Sequence, residues 1–204
     1  MCERASDAMQ TTIRRYRESD AETAGCLIAE TFRRFNLSYA SAGEQERLLG
    51  PFRHAGSSDP AHRREIAALL QAPIVLAATV RETGRIVGIL RGRPGRLHSL
   101  FVHEEFHRRG IGRAMMAVFE ATCLASGVDR ITMQSSLYAV PFYQALGYKR
   151  STGVRSGPCF DGADFPYQPM KKLLWHGHPG GGASSSLRFP PHDAHTGRRP
   201  HVPS

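Results

Sequence analysis

The chain has 204 residues, 41% hydrophobic and 22% charged, which places it in the ordinary soluble globular class with room for one domain and a tail. No apolar run approaches the roughly 20 residues that span a bilayer, and the N-terminal stretch lacks the apolar segment of a secretory signal, so a cytoplasmic protein is expected. The formal charge is +9, but the arginines are scattered and aromatic residues are sparse, which argues against a nucleic-acid surface; an anionic small ligand explains part of the basicity equally well.

Residues 1–11 read as a flexible N terminus. Thr12 to Arg17 form a first strand, and Ser19 with Glu22 has capping-box spacing ahead of a helix over residues 20–35. Ala24, Leu27, Ile28, Thr31, Phe32 and Phe35 give that helix its apolar face. Residues 36–58 carry Gly43, Gly50, Pro51 and Gly56 and read as loop, with at most a short helix near Glu44 to Leu49. Asp59-Pro60 is an N-cap followed by proline at the first helical position; Ile66, Leu69 and Leu70 form the buried edge of that helix, and Pro73 stops it.

Ile74 to Val80 is an apolar, partly β-branched run, the pattern of a buried strand. Glu82-Thr83-Gly84 turns the chain into a strand at Ile86 to Leu90, and Leu97 to His103 form the next. Ile111, Ala114, Met115, Val118, Phe119 and Cys123 mark one face of a helix that ends near Gly127. Arg130 to Ser135 form a strand, and Ala139 to Leu146 a short helix with Pro141 in its first turn. Tyr148 to Val154 and Phe165 to Leu174 are the last strands. Residues 176–204 are rich in Gly, Pro, His and Ser and cannot bury enough apolar surface to offset their ordering entropy, so a disordered tail is expected there.

The chemistry concentrates between the strand at Leu100-Phe101-Val102 and the following helix. His107, Arg108, Arg109, Gly110, Ile111, Gly112, Arg113 and Ala114 make a basic glycine turn at a helix start. Unpaired backbone N–H groups at the positive end of a helix dipole attract phosphate, glycine admits an anion close to the backbone, and arginine adds bidentate donors. Cys2, Cys26, Cys123 and Cys159 have no close pairing, which fits free thiols in a reducing cytosol and neither a zinc site nor a disulfide framework. The tail histidines His176, His178, His192, His195 and His201 lack ligand spacing, so no metal site is expected.

Three segments carry a family resemblance over roughly residues 12–174: the glycine turn with its strand, Ser136-Leu137-Tyr138-Ala139-Val140-Pro141-Phe142-Tyr143-Gln144-Ala145-Leu146-Gly147-Tyr148, and Pro166-Tyr167-Gln168-Pro169-Met170-Lys171-Lys172. Together they resemble the GCN5-related N-acetyltransferase (GNAT) superfamily. His107 stands where that family usually has Gln or Arg, and Ser136 where many members have Asn. The resemblance implies a mixed α/β fold, with a central, mostly antiparallel, twisted sheet of six to seven strands flanked by about four helices.

It also implies transfer of an acetyl group from acetyl-CoA to a primary amine of a small molecule or protein, by direct attack. The acetyl-CoA diphosphate would sit on the amides of residues 108–113, and the pantetheine arm would run along Leu100 to Val102 where two strands splay apart. An N–H near Val102 would face the thioester oxygen. Ser136 would lie beside the pantetheine arm. Tyr143 is the candidate proton donor to the leaving thiolate, since a phenol is protonated at neutral pH. No cysteine lies in either motif, which argues against a covalent intermediate. His98, His103, Glu104 and Glu105 are the candidates for the general base, and no spacing singles one out. Residues 36–58 and 156–165 would shape the acceptor site, with Asp161 and Asp164 suited to a cationic amine. Dimers are common in the family, and a homodimer stays open here. Two other readings are an acyl-CoA-binding sensor without catalysis and a nucleic-acid-binding module that uses the arginine surface.

Overall fold

A computed structural model describes residues 10–160 and 164–174; the expectations for residues 1–9, Asp161 and the tail lie outside the described residues. Eight strands form one sheet: β1 (Thr11–Arg15), β2 (Ile74–Val80), β3 (Ile86–Arg93), β4 (Arg96–Val102), β5 (Arg130–Ser136), β6 (Lys149–Arg150), β7 (Arg155–Pro158) and β8 (Asp164–Leu173). Five α-helices accompany them: α1 (Ala21–Asn36), α2 (Ala42–Leu49), α3 (Pro60–Leu70), α4 (Ile111–Ala125) and α5 (Val140–Gln144). The strand order is β1-β2-β3-β4-β5-β8-β6, with β7 also on β8, and every pairing is antiparallel except β4 with β5. This is the mixed, mostly antiparallel sheet that the resemblance implies, with eight strands in place of six to seven and five α-helices in place of about four, because the last segment divides into short strands on β8 and residues 36–58 add a helix.

Two apolar layers hold the sheet. On one face α4 and α5 pack Met115, Met116, Phe119, Val140 and Tyr143 against Leu90, Leu97 and Met133. On the other, α1 and α3 pack Ile28, Phe32, Ile66 and Leu70 against Ala77, Ile89 and Phe101. Each such buried aliphatic or aromatic side chain contributes about 1.5–3 kcal/mol relative to exposure.

The helix starts show how local chemistry sets boundaries. Asp59 Oδ1 accepts from Ala61 N at 2.8 Å, with Pro60 in the first turn, as its sequence signature requires. The capping box read at Ser19 and Glu22 does not start α1. A 3₁₀ turn at Glu18–Asp20 precedes it instead, and Asp20 accepts from Arg17 N and from both Nη atoms of Arg14. The partner that claims the cap is on β1, outside any local window.

Residues 36–58 are more ordered than a loop. Ser41 and Glu44 form a reciprocal capping box that launches α2, and a 3₁₀ turn at Gly50–His54 follows. The strand read over Tyr148 to Val154 is shorter: only Lys149 and Arg150 pair with β8, a bend intervenes, and pairing resumes as β7. Conversely, β3 extends through Arg91 to Arg93: a tight turn at Pro94-Gly95 returns the chain so that these residues pair with Ser99, Leu97 and Arg96 of β4, across a bulge at His98.

Candidate functional site

The β4–β5 pair is the weak seam of the sheet. Its ladder joins only Arg96 and Thr132, reinforced by the Thr132 N–H donating to Gly95 O at 3.0 Å. Beyond that point the two strands have no further ladder partner and leave a gap. The seam arises because β5 follows α4 as a parallel crossover while β8 pairs with it along seven residues from the other side.

The gap opens into a cleft of about 1140 Å³. Its walls are residues 97–102 of β4 and 133–136 of β5, its end is the start of α4, and its far sides come from α1 and from residues around β7 and β8. Of the residues singled out by sequence, Leu100, Phe101, Val102, His107, Arg108, Gly110, Ile111, Gly112, Arg113, Ser136 and Tyr143 all line this one space. Arg109 and Ala114 do not. The Arg109 guanidinium lies over the Phe106 ring at 5.2 Å, and the Ala114 N–H is spent on Gly110 O in the first helical turn.

The helix start is shaped by its glycines in two different ways. Gly110 holds φ at +81° with open space where a Cβ would point, so glycine is needed there for backbone conformation. Gly112 has an ordinary φ, but a Cβ there would lie 3.1 Å from Phe142 Cζ, so its absence lets α4 and α5 approach. The amides of Ile111, Gly112 and Arg113 open α4 and have no intrahelical acceptor. Arg108, also in the left-handed region at φ +61°, completes the turn.

The end of β4 is oriented by backbone alternation. His103 N–H bonds Val87 O on β3 at 2.9 Å, so the neighbouring Val102 N–H and C=O point the other way, into the gap. His107 Nε2 lies 2.7 Å from Val102 O and pairs with that carbonyl, which leaves the N–H of the same residue directed into the cleft. The His107 ring also packs on Phe35 at 4.8 Å, and Phe35 stacks on Tyr138 at 5.1 Å. This ladder joins α1 to the segment after β5 across the cleft. Nothing local in the sequence links those three residues.

Tyr143 is 5% exposed, on α5, between the rings of Phe142 at 5.0 Å and Tyr148 at 5.9 Å. Burial pushes its phenol well above the ordinary 10.0. Behind it the Tyr148 hydroxyl donates to Glu120 Oε1 at 2.9 Å, and Lys172 Nζ holds the same carboxylate at 2.7 Å, so the hydroxyl end of Tyr148 is anchored on an ion-paired carboxylate.

The four candidate bases separate cleanly. Only His98 and Glu104 line the cleft. Glu104 is ion-paired with Arg34, Glu105 pairs with Arg85, and His103 contacts Arg85 through Nε2 while its Nδ1 accepts from Glu105 N. His98 sits at a β-bulge opposite Arg91 and Gly92; desolvation and the charges of Arg91, Arg96 and Arg93 hold it below its ordinary 6.5. Asp164 is exposed on β8 and does not line the cleft. Among the described residues no cluster of three or more His, Cys, Asp or Glu is placed to hold a metal, and no helix is long and apolar enough to cross a membrane.

Comparison with known proteins agrees with this geometry. No curated protein matches the chain. A GCN5-related N-acetyltransferase from Rhodopseudomonas palustris shares the fold at TM-score 0.66 and 21% identity, over 81% of this chain and 96% of that one. YjaB from Escherichia coli does so at TM-score 0.60 and 18% identity, over 82% and 100%. The PaiA N-acetyltransferase from Thermoplasma acidophilum, solved in complex with coenzyme A, does so at TM-score 0.56 and 17% identity, over 81% and 100%. The family model of the acetyltransferase (GNAT) domain matches residues 52–174, well over half of the chain, and the chain belongs to the GNAT family of acetyltransferases.

Proposed function

We propose that this chain transfers an acetyl group from acetyl-CoA to a primary amine by direct attack, within a unit spanning residues 12–175. The observation that carries the reading is the meeting, in one cleft, of the β4–β5 gap with the open amides of the α4 start. A diphosphate fits those amides between Arg108 and Arg113, and an extended arm fits the gap along Leu100, Phe101 and Val102. Ser136 lines the opposite strand, with a hydroxyl where many relatives carry an amide.

The attacking amine must be neutral. His98 borders the cleft without a protein partner among the described residues, and its lowered pKa keeps it neutral near pH 7, so it is our candidate to accept the amine proton, directly or through water. As the N–C bond forms, the carbonyl oxygen gains charge, which the Val102 N–H stabilises. As the C–S bond breaks, the Tyr143 phenol gives its proton to the thiolate; its raised pKa guarantees that the proton is present across the working range.

The test is a broad screen of amines with acetyl-CoA as donor, following free thiol and product mass. Turnover with an acetylated amine supports the proposal. Tight coenzyme A binding with no turnover on any amine supports the sensor reading in its place.

A further inference from the structure

Tyr143 is placed by packing. Among the described residues its hydroxyl has no hydrogen-bond partner, so the direction of the phenol at the cleft wall is set by whatever fixes its ring. Two rings meet it edge-on, Phe142 at 5.0 Å and Tyr148 at 5.9 Å. Phe142 itself borders the cleft, whereas Tyr148 is 2% exposed and stands behind Tyr143. The Tyr148 N–H also donates to Tyr143 O at 3.0 Å, so the two residues are joined through backbone as well as rings.

The far end of Tyr148 reaches a pair of charges that the transfer chemistry leaves unused. On α4, Glu120 lies one turn beyond Met116; on β8, Lys172 alternates with Met170 and Leu174, and all three of these apolar neighbours belong to the core layer on the α4 face. Lys172 Nζ donates to Glu120 Oε2 at 2.7 Å and to Oε1 at 2.9 Å, and the Tyr148 hydroxyl donates to the same Oε1 at 2.9 Å. The ammonium also lies 5.4 Å from the centre of the Tyr148 ring. Lys172 is 24% and Glu120 19% exposed, so water competes weakly for either. A phenylalanine would fill the apolar space around Tyr148 with no partner to find. The hydroxyl instead ties the ring to a carboxylate, and a hydrogen bond to a charged acceptor is stronger and more closely oriented than one to a neutral group.

We propose that Glu120, held by Lys172, is a positioning residue for acetyl transfer: it anchors the Tyr148 hydroxyl, Tyr148 fixes the Tyr143 ring edge-on, and Tyr143 presents its phenol to the leaving sulfur. This rests on the acetyl-transfer reading with Tyr143 as its proton donor. Glu120, Lys172 and Tyr148 do not line the cleft, so they act from behind it, through Tyr143.

The test is a double-mutant cycle on the full chain, with acetyl-CoA as donor and the most active amine of the acceptor screen, reading kcat, the Kd for coenzyme A and Tm. Tyr148→Phe should lower kcat about fivefold and leave the Kd for coenzyme A within about twofold. In a Tyr143→Phe background the same change should move kcat by less than about twofold, because the phenol it steadies is gone, while its effect on Tm persists. Glu120→Leu should lower kcat as Tyr148→Phe does, and Glu120→Gln, which keeps an acceptor oxygen for Tyr148, should recover most of the loss. Tyr148→Phe removes a single oxygen, so the cycle still decides if Glu120→Leu fails to fold. Unchanged kcat in Tyr148→Phe or in a folded Glu120→Leu, or an equal loss in both Tyr143 backgrounds, overturns the proposal and leaves acetyl transfer standing. Unchanged kcat in Tyr143→Phe overturns the proton-donor role and this proposal with it. No turnover of any amine, with or without coenzyme A affinity, overturns the acetyl-transfer reading and the proposal together.

Discussion

Tyr143 keeps its proton because the rings around it exclude water, and the same packing holds its phenol at the cleft wall. Tyr143→Phe removes one hydroxyl and leaves that packing intact. We expect kcat to fall by about 10²–10³-fold, within the range of general acid catalysis, while the Kd for coenzyme A changes less than about threefold. Steady-state kinetics and calorimetry read the two separately, and unchanged kcat removes Tyr143 from the mechanism. The two turn glycines give a second contrast. Gly110→Ala forces an L residue to φ +81° and should cost about 1–2 kcal/mol in stability, with weaker coenzyme A binding. Gly112→Ala pushes on the Phe142 ring next to Tyr143 and should lower kcat more than it lowers Tm. Adding Phe142→Leu to Gly112→Ala should recover part of kcat; thermal melts and rates on the four proteins check it.

At the scale of elements, the join between β1 and α1 depends on one buried carboxylate. Burial alone would raise the Asp20 pKa, but two Arg14 hydrogen bonds, at 2.7 and 2.9 Å, and the Arg17 amide outweigh it and hold Asp20 below its ordinary 3.8. A depressed carboxylate stabilises the fold in full above its unfolded pKa, and that contribution disappears as pH falls through the lower folded value. Asp20→Asn should therefore cost about 2 kcal/mol at pH 7, given that Arg14 is partly exposed, and progressively less as pH falls below the ordinary 3.8. Denaturant melts across that range measure the convergence; a constant gap between the two proteins contradicts it. This join also shows why sequence places the start of α1 within one residue but assigns its cap to the wrong pair, Ser19 and Glu22. Asp20 has an ordinary acidic cap's chemistry, but its strongest partner is fixed by the β1 strand and not by the next four residues. The Ser41–Glu44 box of α2 is wholly local, yet sequence reads there no more than a short helix near Glu44 to Leu49, because eight residues between glycines give too little periodicity to fix its start.

For the whole molecule, legibility followed the range of the interaction. Ile74 to Val80, the Asp59-Pro60 helix start and the glycine turn were readable because each is decided by neighbours in sequence. Resemblance places Gly110 and Tyr143 at one site, and the fold brings both to the cleft. The Phe35–His107–Tyr138 ladder and the separation of His98 and Glu104, which line the cleft, from His103 and Glu105, which do not, were not readable, since each depends on elements that meet only when the sheet is assembled.

The central claim is that the amides opening α4 hold a diphosphate while the β4–β5 gap takes the arm attached to it. Calorimetric titration of the full chain with coenzyme A and with pantetheine, which lacks the diphosphate, tests it most directly. We expect one coenzyme A per chain and pantetheine at least about 100-fold weaker, a difference of about 2.7 kcal/mol. Equal affinity for the two, or no heat with coenzyme A, contradicts it.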